Sequence, residues 1–224
     1  MTASNQKISS PHPDIAVKQL GKRFNREWIF RNLDYNFLHG NTYAIVGPNG
    51  SGKSTLLQVL WGQLPQSNGE LKYLDQQTEI PVDEIFHHIS IATPYLDLIE
   101  EFTLIEHLRF HFKLKASRNG MNENDLLDKM ELTHAKDKYI SNFSSGMRQR
   151  VKLALAFFTQ ASLIFLDEPT TNLDQQASSW YHDRLLEIPQ DCTVFIAANL
   201  VDEYPAHAHL INILDYKKGP GSKN

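Results

Sequence analysis

The sharpest chemical pattern in the chain is GPNGSGKST, residues 47–55. It satisfies G-x-x-x-x-G-K-[ST] through Gly47, Gly52, Lys53 and Ser54. Glycines let a backbone wrap a polyphosphate and turn its N–H groups inward. A helix beginning at the same place adds partial positive charge. Gly47, Pro48, Asn49, Gly50, Ser51, Gly52, Lys53, Ser54 and Thr55 therefore form one candidate phosphate-binding segment. In such a loop Lys53 meets the β- and γ-phosphates and the Ser54 hydroxyl meets Mg²⁺. A second pattern is LIFLDE, residues 163–168, an apolar run closed by two carboxylates. A carboxylate at the carboxyl end of a buried strand lies beside the phosphate loop in a parallel α/β architecture. Asp167 fits the second magnesium position, and Glu168 could accept a proton from an attacking water.

These residues need strands and helices to hold them. TYAIV, residues 42–46, is a short apolar run that stops at Gly47, as a buried strand would. After the loop, Leu56, Leu57, Leu60 and Leu64 share one helical face. Leu33, Tyr35 and Phe37 alternate with polar residues, ELKYLD alternates after Asn68-Gly69, and HISIA is a further strand candidate. From Thr103 to Gln160 the spacing becomes helical. Leu104, Ile105, Leu108 and Phe112 share a face. Leu126, Leu127 and Met130 follow a cap at Asn122 or Asn124, and the segment from Val151 to Phe158 follows a cap at Ser144 or Ser145. LIFLDE and TVFIAA then read as strands buried on both faces, and HLINILDY as a last strand. The order implies a parallel α/β core carrying a helical insert.

At 224 residues the chain suits one domain. Residues 1–13 read as a flexible lead-in without the apolar run of a signal peptide, and 217–224 as a flexible tail. A hydrophobic share of 41% and a charged share of 21% exclude collagen, whole-chain disorder and coiled coil. The net charge of −4 leaves no footprint for a duplex nucleic-acid binder, so no nucleic-acid partner is expected. Cys192 is the single cysteine, which rules out an intrachain disulfide or a cysteine zinc cluster and suits a core thiol. The most apolar stretch, residues 153–166, is 14 long and broken by Thr159, Gln160 and Ser162, too short to span a bilayer. His107 and His111 are four apart on a predicted helix and read as surface histidines rather than as a metal pair.

The succession GPNGSGKST, FSSGMRQR (143–150) and LIFLDEPTTNLD (163–174) resembles the ATP-binding subunit of ABC transporters over nearly the whole chain. The resemblance implies a P-loop NTPase core with a mainly parallel sheet, an N-terminal antiparallel β subdomain and a helical signature subdomain at about 95–160, all in one ABC ATPase domain at 14–216. It implies ATP and Mg²⁺ as cofactors. It implies head-to-tail pairing with a second copy or a related ATPase subunit, so that Ser144 and the backbone near Gly146 meet a γ-phosphate in trans. It implies adenine stacking on an aromatic upstream of the loop, with Phe24 the first choice and Trp28 the second. It implies membrane-spanning subunits on separate chains and a cytoplasmic, peripheral location on the inner face of the cell membrane, with Leu96, Leu98, Ile99 and Phe102 as a docking patch. Two positions depart from the family pattern. Pro94 stands where the family has a Gln that reaches Mg²⁺ and water. Asn199 stands where it has a His on the γ-phosphate, and it can donate a hydrogen bond without the imidazolium charge. Ser145 and Met147 also replace the usual signature residues. These departures bear on hydrolysis more than on ATP binding. The expected function is an ATPase powering a transporter. The alternatives are a nucleotide-binding regulatory subunit with little hydrolysis and a soluble ABC ATPase of repair or translation.

Overall fold

A computed structural model of the chain describes residues 12–217, so most of the expected lead-in and nearly all of the tail lie outside the described residues. Two sheets organise it. The first is antiparallel, in the order β2-β1-β4-β5, built from β1 (Asp14–Phe24), β2 (Glu27–Phe37), β4 (Asn68–Asp75) and β5 (Thr78–Ile80). The second has the order β6-β7-β8-β3-β9, from β3 (Thr42–Val46), β6 (Ile89–Ala92), β7 (Leu163–Asp167), β8 (Thr193–Ala198) and β9 (His209–Asn212). Every pairing in the second sheet is parallel.

β7 and β8 are buried along their whole length, as their unbroken apolar runs require. Side chains alternate across a strand, so each serves two cores. Leu163, Phe165, Phe195 and Ala197 pack with the antiparallel sheet and helix α1 (Lys53–Leu60). Ile164, Leu166, Val194, Ile196 and Ala198 pack on the opposite side with the helices. Phe165 and Phe195 stack at 4.7 Å between ring centroids, fixing the β7–β8 register on the first face.

The helices α2 (Leu104–Leu114), α3 (Glu123–Lys129) and α4 (Ser145–Phe158) fall between β6 and β7, and α5 (Gln175–Leu186) between β7 and β8. Thr103 and Glu106 cap α2 reciprocally, Asn122 caps α3, and the Ser144 hydroxyl accepts from the Met147 N–H at 3.2 Å to cap α4.

Three expectations are corrected. α1 ends at Leu60 because Gly62 takes a φ of +83°, so Leu64 packs from the following turn. The last strand stops at Asn212, whose side chain accepts from the Leu214 N–H and starts a 3₁₀ turn over Ile213–Tyr216. His107 and His111 are not surface residues. His107 is 6% exposed, and His111 Nε2 lies 2.8 Å from the Thr159 hydroxyl at the end of α4.

Candidate functional site

Four neighbouring strands, β6, β7, β8 and β3, end along one edge of the parallel sheet. The register sets Ala92 beside Leu166, Asp167 beside Ala197, and Val46 beside Ala198. Pro94, Glu168, Asn199 and Gly47 therefore leave the sheet together. Parallel sheets place ligand chemistry at this carboxyl edge.

The loop after β3 has the backbone that a phosphate cradle needs. Gly47 has φ +148° and Gly52 has φ +107°. A Cβ at Gly52 would meet Ile29 Cγ2 of β2 at 2.3 Å, so both conformation and space demand glycine there. The Ser51 N–H closes a turn on Pro48 O at 3.1 Å, and the Leu56 N–H donates to Gly52 O at 2.9 Å as α1 begins. Pro48, Asn49 and Gly50 are exposed at the tip, and Thr55 is half-buried one residue beyond Ser54. The Lys53 ammonium is folded back over the loop, donating to Gly47 O at 2.9 Å and Pro48 O at 3.3 Å. Lys53 is 4% exposed, so its charge is presented inside the cradle rather than to bulk water. The buried Ser51 hydroxyl has no hydrogen-bond partner among the described residues, as a group reserved for a ligand oxygen would.

Asp167 closes the site from β7. Its Oδ1 accepts from Ser54 Oγ at 2.9 Å, joining two patterns 113 positions apart. Burial pushes the Asp167 carboxyl up to about 6. The Ser54 hydrogen bond opposes this, the charge of Glu168 adds to it, Lys53 opposes it, and Glu203 adds to it. A buried carboxylate that resists ionisation, beside a serine hydroxyl, fits a divalent cation, whose charge would stabilise the anion. The donor set, all oxygen, suits Mg²⁺.

Glu168 follows with φ +48°, a left-handed conformation held by its N–H on Ala197 O at 3.0 Å. Such strain in a non-glycine residue persists only where surrounding contacts enforce it. Asn199 is exposed at the end of β8, and its N–H donates to the Glu203 carboxylate at 2.6 Å. Pro94 is half-buried after β6, and its carbonyl accepts from Lys152 Nζ of α4 at 3.0 Å. Phe24, 46% exposed, ends β1 at the hairpin whose second strand carries Ile29 against Gly52. Lys22 Nζ lies 5.1 Å from the Phe24 ring centroid. Trp28 is half-buried, with the Arg23 guanidinium 5.6 Å from its ring.

Ser144 and Gly146 are not brought to this cradle. They line a separate cavity of about 490 Å³ with Met147, Asn172 and Asp174, and no residue of the 47–55 loop lines it. The docking patch needs correction as well. Leu98 is 8% exposed and packs in the helical core. Tyr95 and Leu96 instead border an open groove of about 450 Å³ shared with Trp61, Val82, Ile85 and Phe86. Sequence reasoning missed Glu203, buried at 2% exposure, and Gln149, whose Nε2 donates to Pro169 O at 2.9 Å. Neither lies in a pattern with its own spacing rule, although Gln149 falls inside FSSGMRQR.

Fold and site define a P-loop nucleotide-binding α/β domain. The family model described as ABC transporter matches residues 30–171, and the chain belongs to that family. The chain is 30% identical to the daunorubicin/doxorubicin resistance ATP-binding protein DrrA of Streptomyces peucetius, over 93% of its own length and 64% of DrrA. It is 29% identical to the human phospholipid-transporting ATPase ABCA7, over 85% of its length and 9% of that much longer protein. The chain thus spans under a tenth of ABCA7 and just under two thirds of DrrA. A putative ABC transporter ATP-binding protein from Pyrococcus furiosus shares the fold at a TM-score of 0.77 and 21% identity, covering 92% of this chain and all of that one.

Proposed function

We propose that this chain is the ATP-binding and ATP-hydrolysing subunit of an ABC transporter whose membrane-spanning part is a separate chain. The observation that carries the reading is the convergence of Lys53, Ser54 and Asp167 at one sheet edge, with Ser54 bonded to Asp167. In this reading the loop from Gly47 to Thr55 holds the triphosphate, and Lys53 neutralises its β- and γ-oxygens. Ser54 and Asp167 hold Mg²⁺, which when bound offsets phosphate charge. Glu168 takes the proton of the attacking water, and the Asn199 amide faces the γ-phosphate. Phe24 stacks on adenine.

The signature residues act on a second copy. Ser144 and Gly146 open helix α4 at a cavity distinct from their own phosphate loop. Helix N-termini attract anions, so this end suits the γ-phosphate held by a partner paired head to tail. The domain runs over 14–216, with a helical subdomain at about 95–160. Among the described residues no helix is long and apolar enough to cross a membrane. The groove at Tyr95, Leu96, Val82 and Phe86 is the surface offered to a membrane-spanning subunit, which would hold the chain at the inner face of the membrane. A second reading, a nucleotide-binding subunit with scant turnover, draws on Pro94 and Asn199.

The test is calorimetry with Mg-ATP together with phosphate release at several protein concentrations. Binding should be saturable, and specific activity should rise with protein concentration as two copies pair. Absence of Mg-ATP binding would overturn the reading, and binding with no release under any condition would select the second one.

A further inference from the structure

Glu203 is the most deeply buried acidic group in the chain that the chemistry above does not use. It is 2% exposed, yet no ion pair found among the described residues includes it. Three donors surround its carboxylate instead. Oε2 accepts from the backbone N–H groups of Asn199 at 2.6 Å and Leu200 at 3.1 Å. Oε1 accepts from Thr170 Oγ1 at 2.7 Å. The Glu203 carbonyl accepts from the buried Tyr181 hydroxyl of α5 at 2.6 Å, which fixes the backbone beneath the carboxylate. Burying a charge without a cation is costly, and charge-assisted bonds to both oxygens are what offset it.

The partners belong to two loops that leave neighbouring strands. Asn199 and Leu200 follow β8, and Thr170 follows β7 two residues after Glu168. Gln149 of α4 adds a third link by donating to Pro169 O in the β7 loop. A hydrogen-bonded chain therefore runs from the signature helix, through the loop that carries Glu168, to the loop that carries Asn199. We propose that Glu203 is a positioning residue that clamps these two loops together and so fixes Asn199 relative to Glu168. The clamp touches no part of the phosphate loop, so it serves the hydrolytic geometry rather than the grip on nucleotide. It rests on the reading of Glu168 and Asn199 given above.

The experiment compares the parent with Glu203→Met, Thr170→Val and Thr170→Ser. Met matches the length of Glu and accepts no hydrogen bond of consequence; Val removes only the bridging hydroxyl; Ser restores it. Two quantities are read: residue-resolved amide exchange without nucleotide, and kcat and KM for Mg-ATP. Glu203→Met should speed exchange at Asn199 and Leu200 by at least about tenfold relative to amides of β3 and β8. Its kcat should fall about 10–100-fold, the range seen when outer-shell supports are lost, with KM changed by less than about threefold. Thr170→Val should lower kcat at least about threefold and Thr170→Ser should retain it, which keeps the test decisive if Glu203→Met does not fold. Exchange that rises equally throughout β3 and β8, or a Thr170→Val variant with parental kcat, would overturn the clamp. A parent without ATPase activity would instead overturn the proposed function, and exchange at Asn199 and Leu200 would still decide the clamp.

Discussion

Ser54 Oγ and Asp167 Oδ1 lie 2.9 Å apart, one at the start of α1 and the other at the end of β7. β3, whose loop leads to Ser54, and β7, which ends in Asp167, are separated by β8, so the bond joins chain segments that leave non-neighbouring strands at the carboxyl edge. Lys53 and Glu168 each adjoin one end of this bond in sequence.

Lys53 is the first test of that geometry. Its ammonium is buried at 4% exposure and bonded to carbonyls of its own loop, so it is already aimed inward. Lys53→Ala should leave the fold intact and weaken Mg-ATP binding about 10–100-fold, the worth of one charged hydrogen-bonding group. Calorimetry reads this directly. Parental affinity in the variant would remove the loop from the binding site.

Glu168→Gln should part binding from turnover. The amide keeps the size of the side chain and loses the base, which costs about 10²–10⁴-fold in rate. The ATP-bound variant should accumulate as a dimer visible by light scattering, because the cavity at the Ser144 end of α4 is lined by no residue of its own loop. Turnover equal to the parent's would mean that another group takes the proton.

The parts of this site that were legible in the sequence are those fixed by local backbone rules. GPNGSGKST announces itself because glycines and a lysine at set spacing leave few other conformations, and the apolar run before it must be a buried strand. The seam joining Asp167 to that loop was legible too, because two apolar runs without polar alternation, rich in β-branched and aromatic residues, suit strands buried on both faces of a parallel sheet. Glu203 was not legible. Its partners, Thr170 and Tyr181, are 33 and 22 positions away, and nothing local says that a glutamate five residues past β8 folds inward. His107 and His111 fall three and seven positions after Leu104, on the same buried stripe, so helical periodicity could have placed them inside. Leu98 was not legible, since an apolar residue between acidic ones can turn either to a partner or to its own core.

Pro94 and Asn199 should make hydrolysis slow. Both follow strands that end beside Glu168, at positions where the resemblance noted from the sequence implies a Gln and a His. Losing one aligned donor to a developing charge costs about 3 kcal/mol, roughly a hundredfold in rate. Pro94→Gln and Asn199→His, singly and together, should raise kcat at saturating Mg-ATP. Pro94→Gln also loosens the loop, so its gain should be the smaller. A parent already turning over rapidly, and slowed by both changes, would show that other groups had assumed these roles.

Stability should fall on the acid side through the buried histidines of α2. Burial pushes His111 down to about 4, and the charges of His107 and Lys115 act in the same direction. Burial also lowers His107, whose ring nitrogens have no partner among the described residues. The folded chain therefore keeps these rings neutral at a pH where the unfolded chain, near 6.5, takes up protons. Where the unfolded state binds more protons, stability rises with pH. The contribution is complete above about 6.5 and is lost progressively as pH falls towards about 4. At pH 5 the His111 share is at most about 2 kcal/mol. Carboxylates titrate in the same range, so the informative quantity is a difference between variants. His111→Gln cannot titrate but can still reach the Thr159 hydroxyl that His111 Nε2 meets at 2.8 Å. Urea unfolding at pH 7.5 and 5.0 should show a smaller loss for His111→Gln than for the parent. Equal losses would mean that the ring is protonated alike in both states, and that its place between α2 and the end of α4 does not exclude charge.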